Sequence, residues 1–111
     1  MSGKQYSVAY APEARDDLDE IYSYIAFSLQ ERQVAKNLTE RIRKEIRAIP
    51  PFIESYPIVD FEPWKNMGIR RMTVKNFNVY YYADKDERIV TVLRIFYGGR
   101  DVEHIAAENE D

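Results

Sequence analysis

The stretch that most constrains this chain runs from Gly68 to His104, GIRRMTVKNFNVYYYADKDERIVTVLRIFYGGRDVEH. Three runs rich in β-branched and aromatic residues, near 68–75, 77–83 and 88–97, are separated by polar breaks, and the pattern predicts three consecutive strands. Asp84-Lys85-Asp86-Glu87 reads as the turn of a hairpin. The last run, Arg88 to Tyr97, is apolar on both faces apart from Arg94, as a central strand should be. Gly98-Gly99 breaks it, and Asp101 stands where it would cap a short helix ending near Ala107.

Charge separates this region from the rest. Between Lys65 and Arg100 lie eight basic residues (Lys65, Arg70, Arg71, Lys75, Lys85, Arg88, Arg94, Arg100) against three acids (Asp84, Asp86, Glu87), a balance of +5. The whole chain carries -3, so the remainder carries -8. Such asymmetry points to a polyanion or an acidic protein as partner.

The first half reads differently. Gln5 to Tyr10 alternates like a strand, and Ala11-Pro12 then fits a helix start, because proline at the first helical position loses no needed N–H. A helix from Pro12 to about Phe27 follows, with Ala14, Leu18, Ile21, Tyr22, Ile25 and Leu29 on one face. Glu13, Asp16, Asp17 and Asp19 crowd its positive end and read as complement to the helix dipole. Ser28-Leu29-Gln30-Glu31 has the S-x-x-E form of a capping box and predicts a second helix carrying Val34, Ala35, Leu38, Ile42, Ile46 and Ile49. The two helices form a hairpin that Pro50-Pro51 ends. Pro50, Pro51, Pro57 and Pro63 make residues 50–67 a crossing loop, which Phe52, Tyr56, Phe61 and Trp64 should pack against the core.

The predicted class is therefore α+β: an N-terminal strand, an α-helical hairpin, a three-stranded antiparallel meander and a short C-terminal helix. At 111 residues this is a single domain, 1–111, with 108–111 expected as a frayed acidic tail. There are no cysteines, so neither disulfides nor thiolate metal sites are available. The opening MSGKQYSVAY lacks the apolar core of a signal peptide, and no apolar run approaches the roughly 20 residues of a membrane span. A cytoplasmic protein without membrane contact, metal or cofactor is expected.

The order of elements and three motifs together resemble the RelE/ParE superfamily of bacterial type II toxin-antitoxin toxins. The motifs are Y-x-P-E-A-x-x-D-L-D-E-I-Y-x-Y-I (Tyr10 to Ile25), G-I-R-R-M (Gly68 to Met72) with V-Y-Y (Val79 to Tyr81), and L-R-I-F-Y-G-G-R-D-V-E-H-I (Leu93 to Ile105). The resemblance implies a small toxin neutralised by a cognate antitoxin bound as a hetero-oligomer. It also implies one of two targets: DNA gyrase in the ParE-like branch, or mRNA in the ribosomal A site in the RelE-like branch, where the toxin is a metal-independent endoribonuclease. A different class stays open, a non-toxic or degraded module that binds antitoxin without catalysis.

Metal-free RNA cleavage by the 2'-hydroxyl needs a base, cations for the phosphorane charge and an acid for the leaving oxygen. By motif alignment Arg71 and Arg100 match basic residues of the RNA-cleaving branch; Tyr80, Tyr82, Tyr97 and His104 are the candidate proton carriers, and Tyr97 is the one assigned with the two arginines. Asn78 stands where that branch has another arginine, and Ala106 near its C-terminal tyrosine, so the standard constellation is incomplete. Arg70 and Arg71 point to opposite faces of a strand, and Arg71 is the one assigned. Tyr80, Tyr82 and Asn78 share one face, read as a surface for antitoxin or target, while Phe77, Val79 and Tyr81 share the core face. Arg94 and His104 are further binding candidates. The bland reading of Arg94 is a structural ion pair, of Arg100 a partner for Asp101, and of His104 an exposed residue without a special role. The sequence pI near 5.2 suits a protein partner better than unaided approach to ribosomal RNA and tilts the reading toward ParE.

Overall fold

The computed structural model describes residues 6–98 and 100–108. Strand β1 (Ser7–Tyr10) leads into helix α1 (Pro12–Ser23), a π-helical turn (Tyr24–Ser28) and helix α2 (Arg32–Arg47). A short 3-10 segment (Pro50–Ser55) precedes strands β2 (Arg70–Val74), β3 (Phe77–Asp84) and β4 (Ile89–Tyr97), and helix α3 (Val102–Glu108) closes the fold. The expected class holds. Of the expected frayed tail only Glu108 is described, as the last residue of α3; the rest lies outside the described residues. No helix among the described residues is long and apolar enough to cross a membrane.

The sheet is mixed, in the order β1-β4-β3-β2. The meander is antiparallel, and β1 adds to it parallel to β4, with Ser7 opposite Ile89 and Tyr10 opposite Val92. A parallel neighbour requires a crossover, and the α1–α2 hairpin supplies it. Pro12 sits at the start of α1 as expected.

The helix hairpin covers one sheet face. Ala14, Leu18, Ile42, Ile46 and Ile49 pack there against Met72, Val74, Val79, Tyr81, Val90, Val92 and Ile95. The Tyr81 hydroxyl enters this apolar layer and donates to the Ile53 carbonyl at 2.8 Å. Burial without a charged partner strong enough to offset it pushes the Tyr81 pKa up to about 12.

Three details of the hairpin, and one of the loop after it, differ from the expectation. The capping box does not form: Ser28 belongs to the π-helical turn, and Glu31 occupies the N-cap of α2 without a side-chain cap bond. The wider turn, with Leu29 N–H donating to the Tyr24 carbonyl at 3.0 Å, carries the chain past the position a serine cap needs. Leu29 and Val34, assigned to the inner faces, are exposed. Thr39 is buried instead, its hydroxyl bonded to the Ala35 carbonyl at 3.0 Å, so it enters the interior with its polar atom satisfied. Phe52 also lies on the surface rather than on the core.

A second core covers the opposite sheet face. Val59, Trp64, Ile69, Tyr80, Phe96, Val102 and Ala106 form it, with Phe61, Tyr82, Leu93 and Ile105 at its border. The Trp64 ring lies 5.1 Å from Tyr80 and 5.8 Å from Phe61, centroid to centroid, and Tyr80 lies 6.1 Å from Phe96. The proline-rich loop thus packs Phe61 and Trp64 on the core as expected, and with Val102 and Ala106 of α3 it makes a lid over this face.

β4 serves both cores through a bulge. Tyr80 opposes Arg94 while Tyr81 opposes Val92, which leaves Leu93 without a partner residue. The extra residue reverses the side-chain alternation along β4, so Val90, Val92 and Ile95 all reach the hairpin face while Leu93 and Phe96 face the other way.

Candidate functional site

β1 ends at Tyr10, which leaves the edge of β4 beyond Val92 without a strand beside it. The Asp17 carboxylate of α1 fills that position. Its Oδ2 accepts the Ile95 N–H at 2.9 Å and Arg94 Nε at 2.9 Å, and its Oδ1 accepts Arg94 Nη2 at 3.0 Å. Asp17 is buried. The hydrogen bonds to Asp17 raise the Arg94 pKa above its ordinary value despite the desolvation that opposes it. Arg94 is therefore a structural arginine, as its bland reading had it. Asp17 is the residue the sequence reading missed: among the four acids near the start of α1 nothing distinguished it, and it is a strand-edge partner rather than dipole complement.

Arg71, Thr73, Asn78, Tyr80 and Phe96 share the sheet face opposite the hairpin. Register places Arg71 beside Tyr80, Thr73 beside Asn78, and Asn78 beside Phe96. The Arg71 side chain is exposed, while Arg70 turns to the other face and donates to the Tyr56 carbonyl at 2.6 Å. Arg100 is exposed, and its guanidinium carbon lies 4.9 Å from the Phe96 ring centroid, on which Arg94 also stacks at 4.4 Å. Among the described residues neither Arg71 nor Arg100 forms an ion pair. Two strand spacings, about 10 Å, separate the β2 position of Arg71 from β4. The face thus offers two free guanidinium forks with an aromatic bed under one of them, which suits a carboxylate or phosphate.

The other predicted site residues are placed less favourably. Tyr80, expected on an exposed platform, is 2% exposed beneath Trp64; the loop that covers it was not legible as a lid. Tyr82 is half-buried at the border of the same core. Asn78 accepts the Thr73 hydroxyl at 2.9 Å. Tyr97 is 59% exposed but takes the hairpin-side alternation, edge-on to Phe77 with ring centroids 5.8 Å apart. It lines a shallow notch with Thr73, Lys75, Asn76, Asn78 and Gly98. His104 is exposed and 3.0 Å from Glu108 along α3. Asp101 caps that helix as expected, its Oδ1 accepting the His104 N–H at 3.2 Å. Ala106 is fully buried, so the position near which the RNA-cleaving branch has its tyrosine is an interior one. Among the described residues no cluster of His, Asp or Glu could hold a metal ion.

A small α+β fold, with a helix hairpin on one side of the sheet and a cationic rim on the other, is the class these features define. The family profile described as "ParE toxin of type II toxin-antitoxin system, parDE" matches residues 8–102, and the chain belongs to that family. The fold is similar to the chromosomal ParDE toxin-antitoxin system from P. aeruginosa, with a TM-score of 0.66 and 19% identity over 83% of this chain and 95% of that one. It is similar to a mutant of E. coli toxin RelE in the free state, with a TM-score of 0.64 and 11% identity over 97% of this chain and 100% of that one. The RelBE2 complex from Mycobacterium tuberculosis matches with a TM-score of 0.57 and 16% identity over 85% and 99%. At these identities the likeness is one of fold. No curated protein sequence matches the chain.

Proposed function

We propose that this toxin is held inactive by a cognate antitoxin and arrests growth by binding DNA gyrase, in the ParE-like manner, rather than by cleaving mRNA in the ribosomal A site. The observation that carries this reading is the company Arg71 and Arg100 keep. Among the described residues both cations are free of ion pairs, while each candidate proton carrier is otherwise engaged: Tyr80 is under the loop, Tyr82 is half-buried at the core border, Tyr97 takes the hairpin-side alternation edge-on to Phe77, and His104 lies against Glu108. Transition-state charge could be held there, but proton transfer to and from the ribose and the leaving oxygen has no evident agent. A face that binds anions without acid-base groups is suited to seizing a protein or nucleoprotein surface. The family profile, which is that of ParE toxins, supports the same choice.

The test is induction of the chain in a bacterium with and without its antitoxin, followed by plasmid topology and mapping of mRNA 5' ends. Growth arrest with altered supercoiling and unchanged mRNA ends is expected. New mRNA ends within codons would overturn the gyrase reading, and unaffected growth with abundant folded protein would leave a non-toxic antitoxin-binding module.

A further inference from the structure

On the hairpin side of the sheet, the end of β1 and the adjoining sides of α1 and α2 enclose a notch of about 290 Å³, lined by Tyr10, Arg15, Leu18, Asp19 and Arg43. Leu18 is its buried member. The Tyr10 ring packs against the hairpin core and the side chain is half-buried, yet its hydroxyl has no hydrogen-bond partner among the described residues. Burial raises its pKa above the ordinary value although the charges of Arg43 and Arg47 pull it down, so at neutral pH it stands as an O–H donor. Arg47 follows Arg43 by one turn of α2 and lies on the same side of the helix.

The cations here have no carboxylate of their own. Arg41 and Arg94 are paired at 3.2 Å and 2.9 Å, whereas Arg15, Arg43 and Arg47 are exposed and, among the described residues, form no ion pair. Asp19 is the one acid lining the notch, so three bases face one acid, a balance of +2 in a chain of -3.

We propose that this notch is an anion site for a phosphate group, taken as the free ion or as the end of a small phosphomonoester. Phosphate carries close to two negative charges and several strong acceptor oxygens, which matches the local balance and lets more than one guanidinium fork and the Tyr10 hydroxyl bond to it at once. A carboxylate has half the charge and two oxygens, and satisfies fewer of these donors. The notch also continues. Leu18, Asp19 and Arg43 are shared with a groove of about 510 Å³ between α1 and α2, which Tyr22 and Lys36 line further along and which has room for the organic part of an ester. The notch lies on the hairpin side and Arg71 on the other, so the inference stands whichever target the toxin has.

Two-dimensional NMR titration of the full chain tests it, with inorganic phosphate and adenosine 5'-monophosphate as probes at an ionic strength held by sodium chloride. Phosphate should shift the side-chain signals of Tyr10, Arg15 and Arg43 together and saturate in the millimolar range. The nucleotide should do the same. If the ligand is an ester, the nucleotide also moves Tyr22 and Lys36 and binds more tightly than phosphate; if it is the free ion, those two signals stay in place. Arg43→Gln should weaken binding about tenfold and Tyr10→Phe several-fold, both with unchanged melts in phosphate-free buffer, since neither group bonds within the protein. Signals that do not saturate at tens of millimolar overturn the proposal, as does binding indifferent to Arg43→Gln. Acetate bound as tightly as phosphate would give the notch to a carboxylate of a protein partner and overturn it likewise. Shifts confined to Arg71 and Arg100 would overturn it too, while leaving the reading of that other face intact.

Discussion

The two faces of this sheet are built on different terms. Under the helix hairpin the contacts are mainly aliphatic, spaced at helical intervals, and the Tyr81 hydroxyl that enters them is satisfied by a single carbonyl. Under the proline-rich loop the contacts are aromatic, come from residues scattered between Val59 and Ala106, and are bordered by two unpaired arginines. The hairpin face is interior along its centre. The loop face is interior at its centre, where Tyr80 is buried, and open at its rim, where Arg71 and Arg100 are exposed; on the proposed function, stability belongs to the first and binding to the second.

If that division is right, the largest losses come from the centres. Trp64→Ala should cost about 4 kcal/mol in urea melts, as for a buried aromatic left as a cavity, and Ile42→Ala about 3 kcal/mol on the hairpin side. A cost below 1 kcal/mol for Trp64→Ala would mean that the loop is a cover and not a core. Asp17→Ala joins the comparison next, because Asp17 ties α1 to the edge of β4. Removal strands a mostly buried guanidinium and the Ile95 N–H, and a loss of about 3 kcal/mol is expected by chemical denaturation. A melt indistinguishable from the parent would show that water replaces the carboxylate there.

At the rim the expectation reverses. Arg100→Ala and Arg71→Ala should each change stability by less than about 1 kcal/mol, since exposed arginines add little, while toxicity on plates falls sharply. Arg100→Lys should restore activity only in part, because lysine keeps the charge and loses the paired fork. A fully toxic Arg100→Ala strain would remove that residue from the binding face. The smallest effect at neutral pH belongs to Tyr81. Its folded-state pKa is about 12 against an ordinary value near 10, so the unfolded chain releases its proton first as pH rises. Its contribution is complete below pH 10 and fades toward pH 12; a melt series in Tyr81→Phe should lack that alkaline limb.

Wherever a property depended on neighbours along the chain, it could be read before folding. The α1 start at Pro12, the hairpin, the three meander strands and the Asp101 cap are local, set by proline geometry, helical spacing, alternation and a side chain reaching its own helix, and each stands within a few residues of its expected place. The opposite sides of Arg70 and Arg71, and the shared side of Tyr80 and Tyr82, follow from alternation in the same way. Only the tertiary structure chose Asp17 from four similar acids, because its role depends on where β1 happens to stop beside a strand about 78 residues away. It also placed the bulge at Leu93, the loop over Tyr80, and the π-helical turn that displaced the capping box. Each of these is decided by competition for packing space or for an unpaired backbone group between segments far apart in sequence, and such competition leaves no periodic trace in either segment.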